Sequence, residues 1–247
     1  MRRLLLTLRY DGGNYHGWQV QPNGVTVQQT LQDAIEAVTG VRSGVIGCSR
    51  TAAGVHAEMF CCTCDTDSAI RADKVLAALN AHLPRDIAVY ACREVAADFH
   101  PRYDARGKRY SYRIWNAPVR NPFLEGRALH VTGRLDEQLM DACARRLVGK
   151  HDFAAFCAAG STVEDTVRCV RAASVRREGD TVIFTVEADG FLYNRVRIMC
   201  GTLLDVAGGR LPQNAVDKAL ASCDRGDAGA TAPAAGLFLE KVFYEEE

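Results

Sequence analysis

The first apolar run, residues 4–10, carries leucines broken by Thr7 and Arg9 and stops at Asp11-Gly12-Gly13-Asn14, so it reads as a strand entering a turn. Thr26 then stands where a helix N-cap belongs. Leu31, Ala34, Ile35 and Val38 follow at helical spacing, and Gly40 closes the segment. Short apolar stretches predict strands near residues 45–48, 59–65, 87–95 and 108–115, the last with Tyr110, Tyr112 and Ile114 on one face. A helix is expected over 70–79, ahead of Pro84. The second half opens with a helical stripe of Leu135, Leu139, Ala142, Cys143 and Leu147 closed by Gly149. Residues 170–177 and 181–188 flank Glu178-Gly179-Asp180 as a hairpin. A long amphipathic helix is expected over 191–206, a shorter one near 214–222, and a closing strand over 237–244 ahead of an acidic tail, residues 245–247. Strands in hairpin order mixed with packed helices predict an α+β protein with mainly antiparallel sheets rather than a doubly wound parallel one. The halves divide near residues 1–105 and 106–247.

Composition narrows this picture without redirecting it. The 247 residues are 48% apolar and 24% charged, which excludes a largely disordered chain. No apolar stretch approaches the roughly 20 residues a membrane span needs. The opening Met1-Arg2-Arg3 and the leucines after it are recharged too soon for a secretion signal, so a cytoplasmic protein with reduced thiols is expected. Ten cysteines invite a metal or disulfide reading, but the one tight cluster, Cys61-Cys62-Thr63-Cys64, lacks a second half-site. In a strand, Cys62 and Cys64 share one face and Cys61 the other, which suits small buried hydrophobes. No metal is expected. Neither a G-x-G-x-x-G nor a P-loop occurs, so no nucleotide cofactor is expected.

Charge changes the picture more. Thirty basic and thirty acidic residues cancel, yet residues 1–127 hold 16 basic against 12 acidic and the remainder 14 against 18. The total of zero is therefore +4 and −4. Residues 93–127 concentrate eight basic side chains against four acidic ones, with Tyr103, Tyr110, Tyr112, Trp115 and Phe123 interleaved. Cations for phosphates and rings for unstacked bases are what RNA binding requires. A solvated face with its rings turned to the core fits the same pattern equally well. Arg195 and Arg197 stand in an otherwise apolar helix and need anionic partners, whereas Phe191 and Tyr193 read as core packing. The small residues of the loop from Ser49 to His56 permit close approach of a ligand, and His56 reads as a structural histidine.

Taken together, nine segments resemble the bacterial tRNA pseudouridine synthase A family in order and over nearly the whole chain. They are Tyr10-Asp11-Gly12 with Gly17-Trp18-Gln19-Val20-Gln21; Thr26-Val27-Gln28; Arg50-Thr51-Ala52-Ala53-Gly54-Val55-His56-Ala57; Leu83-Pro84-Arg85-Asp86-Ile87; Asp98-Phe99-His100-Pro101-Arg102; Lys108-Arg109-Tyr110-Ser111-Tyr112; His151-Asp152-Phe153-Ala154-Ala155-Phe156; Gly190-Phe191-Leu192-Tyr193-Asn194; and Ala232-Pro233-Ala234-Ala235-Gly236-Leu237. Two positions depart. The family's loop reads R-T-D-A-G-V-H with aspartate as nucleophile where this chain has Ala52, and the family usually has Met where this chain has Arg195, expected here to face outward.

The resemblance implies two similar α+β halves joined across a central RNA-binding cleft, with helices on the outer faces. It implies a homodimer acting on the anticodon stem-loop of tRNA, around positions 38–40, without metal or cofactor. The reaction detaches uracil from C1′ of uridine, turns it and rejoins it through C5, with an aspartate attacking C1′ or C6. Ala52 can do neither, so no activity is expected of this chain. By the same resemblance Tyr110 stacks on or near the target base and acts in the proton steps, and Arg197 is the buried arginine that pairs with the nucleophile. Arg50 helps flip the base or holds its phosphate, and Arg102, Lys108 and Arg109 contact the RNA backbone. A lone alanine inside an intact loop favours an engineered change over a natural pseudoenzyme. The alternatives are a non-catalytic tRNA-binding or RNA-chaperone protein on the same scaffold, and a thiol or zinc protein built on the cysteine cluster.

Overall fold

Leucines on alternate positions of β1 (Arg2–Tyr10) meet small and aromatic residues on β3 (His56–Thr66): Leu4 pairs with Cys64, Leu6 with Cys62 and Leu8 with Phe60. All six are buried, so these cysteines serve as small core residues of a sheet. Cys61 pairs with Thr7 on the other face and is buried as well. The computed structural model describes residues 1–158, 165–192 and 194–244. The expectations for Tyr193 and for the acidic tail lie outside the described residues.

The chain forms two units, Met1–Arg106 with Leu239–Glu247, and Gly107–Phe238. In the first, β1 lies antiparallel between β3 and β4 (Ile87–Val95), and β2 (Val45–Gly47) pairs with β3. Two helices, α1 (Val27–Thr39) and α2 (Ala72–His82), pack on each other. Thr26 caps α1 through the Gln29 N–H, and Val27, Leu31, Ala34 and Ile35 form its buried stripe.

The second unit builds a sheet in the order β5 (Gly107–Trp115), β9 (Thr181–Ala188), β8 (Val167–Glu178), β7 (Gly149–Asp152), antiparallel throughout. The two-residue β6 (Leu129–His130) runs parallel beside β5. Helix α3 (Glu137–Arg145) packs on β8 and on α4 (Arg195–Ala207), and α5 (Ala215–Ser222) packs near them. The last strand, β10 (Leu237–Phe243), begins in the second unit and ends in the first, a return that a division at residue 105 does not contain. The fold is α+β with mainly antiparallel strands. No helix among the described residues is long and apolar enough to cross a membrane.

Two helices differ from expectation for local reasons. Asp136 caps α3 with both the Gln138 and Leu139 N–H groups, so the helix starts late; Leu135 and Leu147 are buried outside it, and Gly149 opens a strand. The helix expected from residue 191 begins at Arg195, because Asn194 sits at φ 60°, a left-handed turn that no helix continues through. Nor is α4 amphipathic. Ten of its thirteen residues are buried, as in a helix packed on most sides.

All ten cysteines are unbridged, and among the described residues no group of three His, Cys, Asp or Glu side chains stands close enough to hold a metal ion. Burial pushes the Cys62 thiol well up, Cys64 up to about 12 and Cys92 up to about 11. Thiolate is the reactive form, so a raised pKa suppresses alkylation. Iodoacetamide at pH 8 is expected to modify exposed Cys169 first and to leave Cys61, Cys62 and Cys64 intact until the protein unfolds. Peptide mass spectrometry reads the order, and early labelling of Cys62 would show that this sheet opens in the native state.

Candidate active site

Small residues between β2 and β3 leave the loop from Ser49 to Val55 without a core of its own, so its shape comes from partners. The Trp18 N–H donates to the Thr51 carbonyl (3.1 Å) and the Gly54 N–H to the Tyr15 carbonyl (3.3 Å). Thr51 Oγ1 lies 2.8 Å from the Tyr10 hydroxyl, and the Val55 N–H closes back on the Ala52 carbonyl at 3.2 Å. Gly54 takes φ 76° inside that turn, where a side chain would be strained. Gly17, at φ 85°, is the other requirement: a Cβ there would stand 2.5 Å from the Thr51 carbonyl oxygen. Ala52 is half-buried at the top of a loop held by backbone bonds on both sides.

The segment that grips this loop is itself anchored. Trp18 stacks on Phe60 with ring centres 4.0 Å apart. Gln28 donates its backbone N–H to the Trp18 carbonyl (3.0 Å) and its Nε2 to the Val45 carbonyl (2.8 Å), and its Oε1 accepts the Val20 N–H (2.9 Å). These contacts account for the Gly17–Gln21 and Thr26–Gln28 segments, whose purpose the sequence does not disclose. His56 is buried, with Nδ1 3.0 Å from both the Gly12 N–H nitrogen and Asp11 Oδ1, a structural histidine. No residue from Ser49 to His56 carries a carboxylate.

Arg50 and Arg102 are both exposed and line one hollow of about 250 Å³ in the first unit. Among the described residues Arg50 and Arg102 make no ion pair, and the Arg102 guanidinium lies 5.9 Å from the Tyr103 ring centre. Tyr110, Lys108 and Arg109 share β5 in the second unit. Tyr110 is buried edge-on against Phe191, centroids 5.2 Å apart. Lys108 is buried, and Arg109 is held by its cross-strand neighbour Glu187 at 2.9 Å. On α4, Arg197 donates Nε to the Ala232 carbonyl (2.6 Å) and Nη1 to Asn194 Oδ1 (2.9 Å), which leaves Nη2 without a partner among the described residues.

Arg195 does not face outward. It is 1% exposed, among the largest fully buried side chains of the protein. Nη2 reaches Cys157 Sγ (3.3 Å) and the Thr166 carbonyl (3.2 Å), and the guanidinium lies 5.3 Å from the Phe153 ring centre. Nε and Nη1 have no hydrogen-bond partner among the described residues, and burial draws the guanidinium pKa down. Because α4 starts four residues later than its pattern suggests and is buried on most sides, its first position lies inside the protein.

The sequence also gave no sign of which interleaved rings are open. Tyr110 and Tyr112 are buried, whereas Tyr103 is 76% exposed at the rim of the hollow that Arg50 and Arg102 line.

With this geometry in hand, comparison with known proteins is informative. A family model described as tRNA pseudouridine synthase matches residues 7–104 and 143–245. The chain belongs to this family, RNA-modifying isomerases that convert uridine in tRNA to pseudouridine. Within it, the chain is similar to proteins named tRNA pseudouridine synthase A: 44% identical over 244 residues to that of Acetivibrio thermocellus, 45% over 247 to that of Clostridium kluyveri and 46% over 244 to that of Brevibacillus brevis. Each comparison covers 99% of this chain and 100% of the relative.

A buried cation with two unpaired donors costs more than its contacts return, since each orphaned donor costs about 1–3 kcal/mol. Arg195→Met is therefore expected to stabilise the protein by about 1–3 kcal/mol, an increase of several degrees in Tm. Thermal and urea unfolding followed by circular dichroism measure it; a lower Tm would mean that the bonds to Cys157 and Thr166 outweigh the desolvation of the charge.

Proposed function

We propose that this scaffold isomerises uridine in the anticodon stem-loop of tRNA, around positions 38–40, and that the chain as it stands binds this substrate without converting it. The single observation that carries the reading is Ala52. It occupies the middle of a loop pinned through Thr51, Gly54 and Val55, in the position where the family resemblance has its nucleophilic aspartate. Detaching uracil from C1′ needs an electron pair delivered to C1′ or C6, and a methyl group offers none. A loop this firmly held keeps its backbone geometry whichever of Asp or Ala is present, so the side chain alone decides the chemistry.

The remaining roles follow from local surroundings. Tyr110, buried and set edge-on against Phe191, acts at the target base and in the proton steps. Arg197 is the cation for the nucleophile: two of its nitrogens are fixed by Ala232 and Asn194, so the third is aimed without freedom to wander. Arg50, two residues from Ala52 and unpaired, helps flip the base or holds its phosphate. Arg102 contacts the RNA backbone. Lys108 and Arg109 do so more weakly, since Arg109 must first leave Glu187. The protein works in the cytoplasm as a homodimer, with neither metal nor cofactor in the reaction.

Ala52→Asp is expected to produce pseudouridine in tRNA transcripts, where the present chain produces none, a difference of several orders of magnitude in rate. Nucleoside mass spectrometry of the treated tRNA measures it. If the aspartate variant shows the same circular dichroism and the same tRNA affinity yet stays inert, position 52 is not the nucleophile's. Ala52 also favours a second reading, a non-catalytic tRNA-binding or RNA-chaperone protein. That reading requires alanine in the natural gene at this codon and tRNA binding that weakens steeply with salt; an aspartate codon there dismisses it.

A further inference from the structure

The hollow in the first unit has a composition that its neighbourhood does not explain. Its wall holds two guanidinium groups, Arg50 and Arg102, and three ring side chains, Trp18, His100 and Tyr103, and not one carboxylate. Neither arginine has a carboxylate partner among the described residues, and a hollow of about 250 Å³ has the scale of a single small group rather than of a duplex.

The rim is also built to hold a flat group. His100 accepts the Arg102 and Tyr103 N–H groups on Nδ1, at 3.1 and 3.2 Å. Its own N–H goes to Asp104 Oδ2 (2.8 Å), and its carbonyl accepts the Asp104 N–H (3.0 Å). Pro101 inside this turn is buried and accepts the Tyr244 hydroxyl at 2.8 Å. With the turn locked, the His100 and Tyr103 rings lie 4.2 Å apart at 31°, a near-stack that backs the tyrosine on one side and leaves the rest of it in solvent. An aromatic ring left 76% exposed, supported from behind and flanked by an arginine is costly as a surface and well suited as a stacking platform.

We infer that this hollow binds one unpaired nucleotide of an RNA strand, the neighbour of the target uridine. Its base stacks on Tyr103 and its phosphate lies between Arg50 and Arg102. The inference rests on the reading of the chain as a tRNA-binding protein and extends it: Arg50 is two residues from Ala52, so a strand delivering its uridine there passes this wall. Base stacking tolerates any base, which makes the site a grip on the strand rather than a reader of sequence.

The test is binding, by fluorescence anisotropy, of the chain with Ala52 to tRNA, to a seven-residue oligouridylate and to uridine monophosphate. Tyr103→Ala is expected to weaken both RNAs roughly 5- to 100-fold, while Tyr103→Phe, which keeps the ring, stays within about twofold of the unaltered chain. Arg102→Gln is expected to lower the slope of log affinity against log salt by about one. Tyr103 and Arg102 are exposed and outside the strands and helices, and matching circular dichroism melts confirm that the variants fold. Unchanged affinity in Tyr103→Ala, equal losses in the Ala and Phe variants, or an unmoved salt slope in Arg102→Gln overturns the inference. So does uridine monophosphate bound as tightly as the oligonucleotide, which would make the hollow a free-nucleotide site, and so does a failure of both RNAs to bind. Binding of tRNA that ignores Tyr103 defeats this inference and leaves the proposed function standing. Tyr103-dependent binding of oligouridylate without any affinity for tRNA does the reverse.

Discussion

Everything proposed for this protein depends on the backbone contact between the segment around Gly17 and the loop at Thr51. A carbonyl and an N–H that meet at 3.1 Å, with room made by a glycine, fix where residue 52 stands. The contact works because Trp18 is clamped on Phe60 and Gln28 ties the same segment to β2. Preorganisation of this kind suits a catalytic group, which must be held against its substrate without the entropy cost of ordering it at each turnover. In this chain the position so held carries the methyl group of Ala52.

Arg195 places a guanidinium where burial disfavours charge. Among the described residues two of its nitrogens find nothing to bond, and the one that does reaches a thiol and a carbonyl instead of an anion. Marginally stable proteins tolerate such a site only when the rest of the core compensates, and α4 is buried on most sides by apolar neighbours that do so.

Electrostatics in this molecule are a matter of availability rather than of number. Residues 93–127 count eight cations, yet Arg109 is spoken for by Glu187, Arg113 lies 3.7 Å from the Phe238 ring centre, and Lys108 is buried. Arg102, and Arg50 from outside that stretch, stand without a carboxylate partner in a hollow that has no acidic wall. Two guanidinium groups without a carboxylate partner, beside open rings, give this hollow a local positive field that the neutral total conceals.

The hydrophobic pattern was enough to place β1, β4, α1 and the β8–β9 hairpin close to their observed bounds, because each is decided within a few residues: a Thr26 cap, a run of alternating leucines, a Glu178-Gly179-Asp180 turn. The family was equally legible, since it rests on residue identity in order along the chain. Where a side chain faces was not. Arg195 was expected in solvent and is buried, because Asn194 turns the backbone before α4 begins and the helix is then packed on most sides. Tyr103 and Tyr110 look alike in sequence, but one stands on a locked turn in solvent and the other in a strand against Phe191. Local sequence decides which element forms; burial is a sum over neighbours far apart in the chain, and only the folded protein performs that sum.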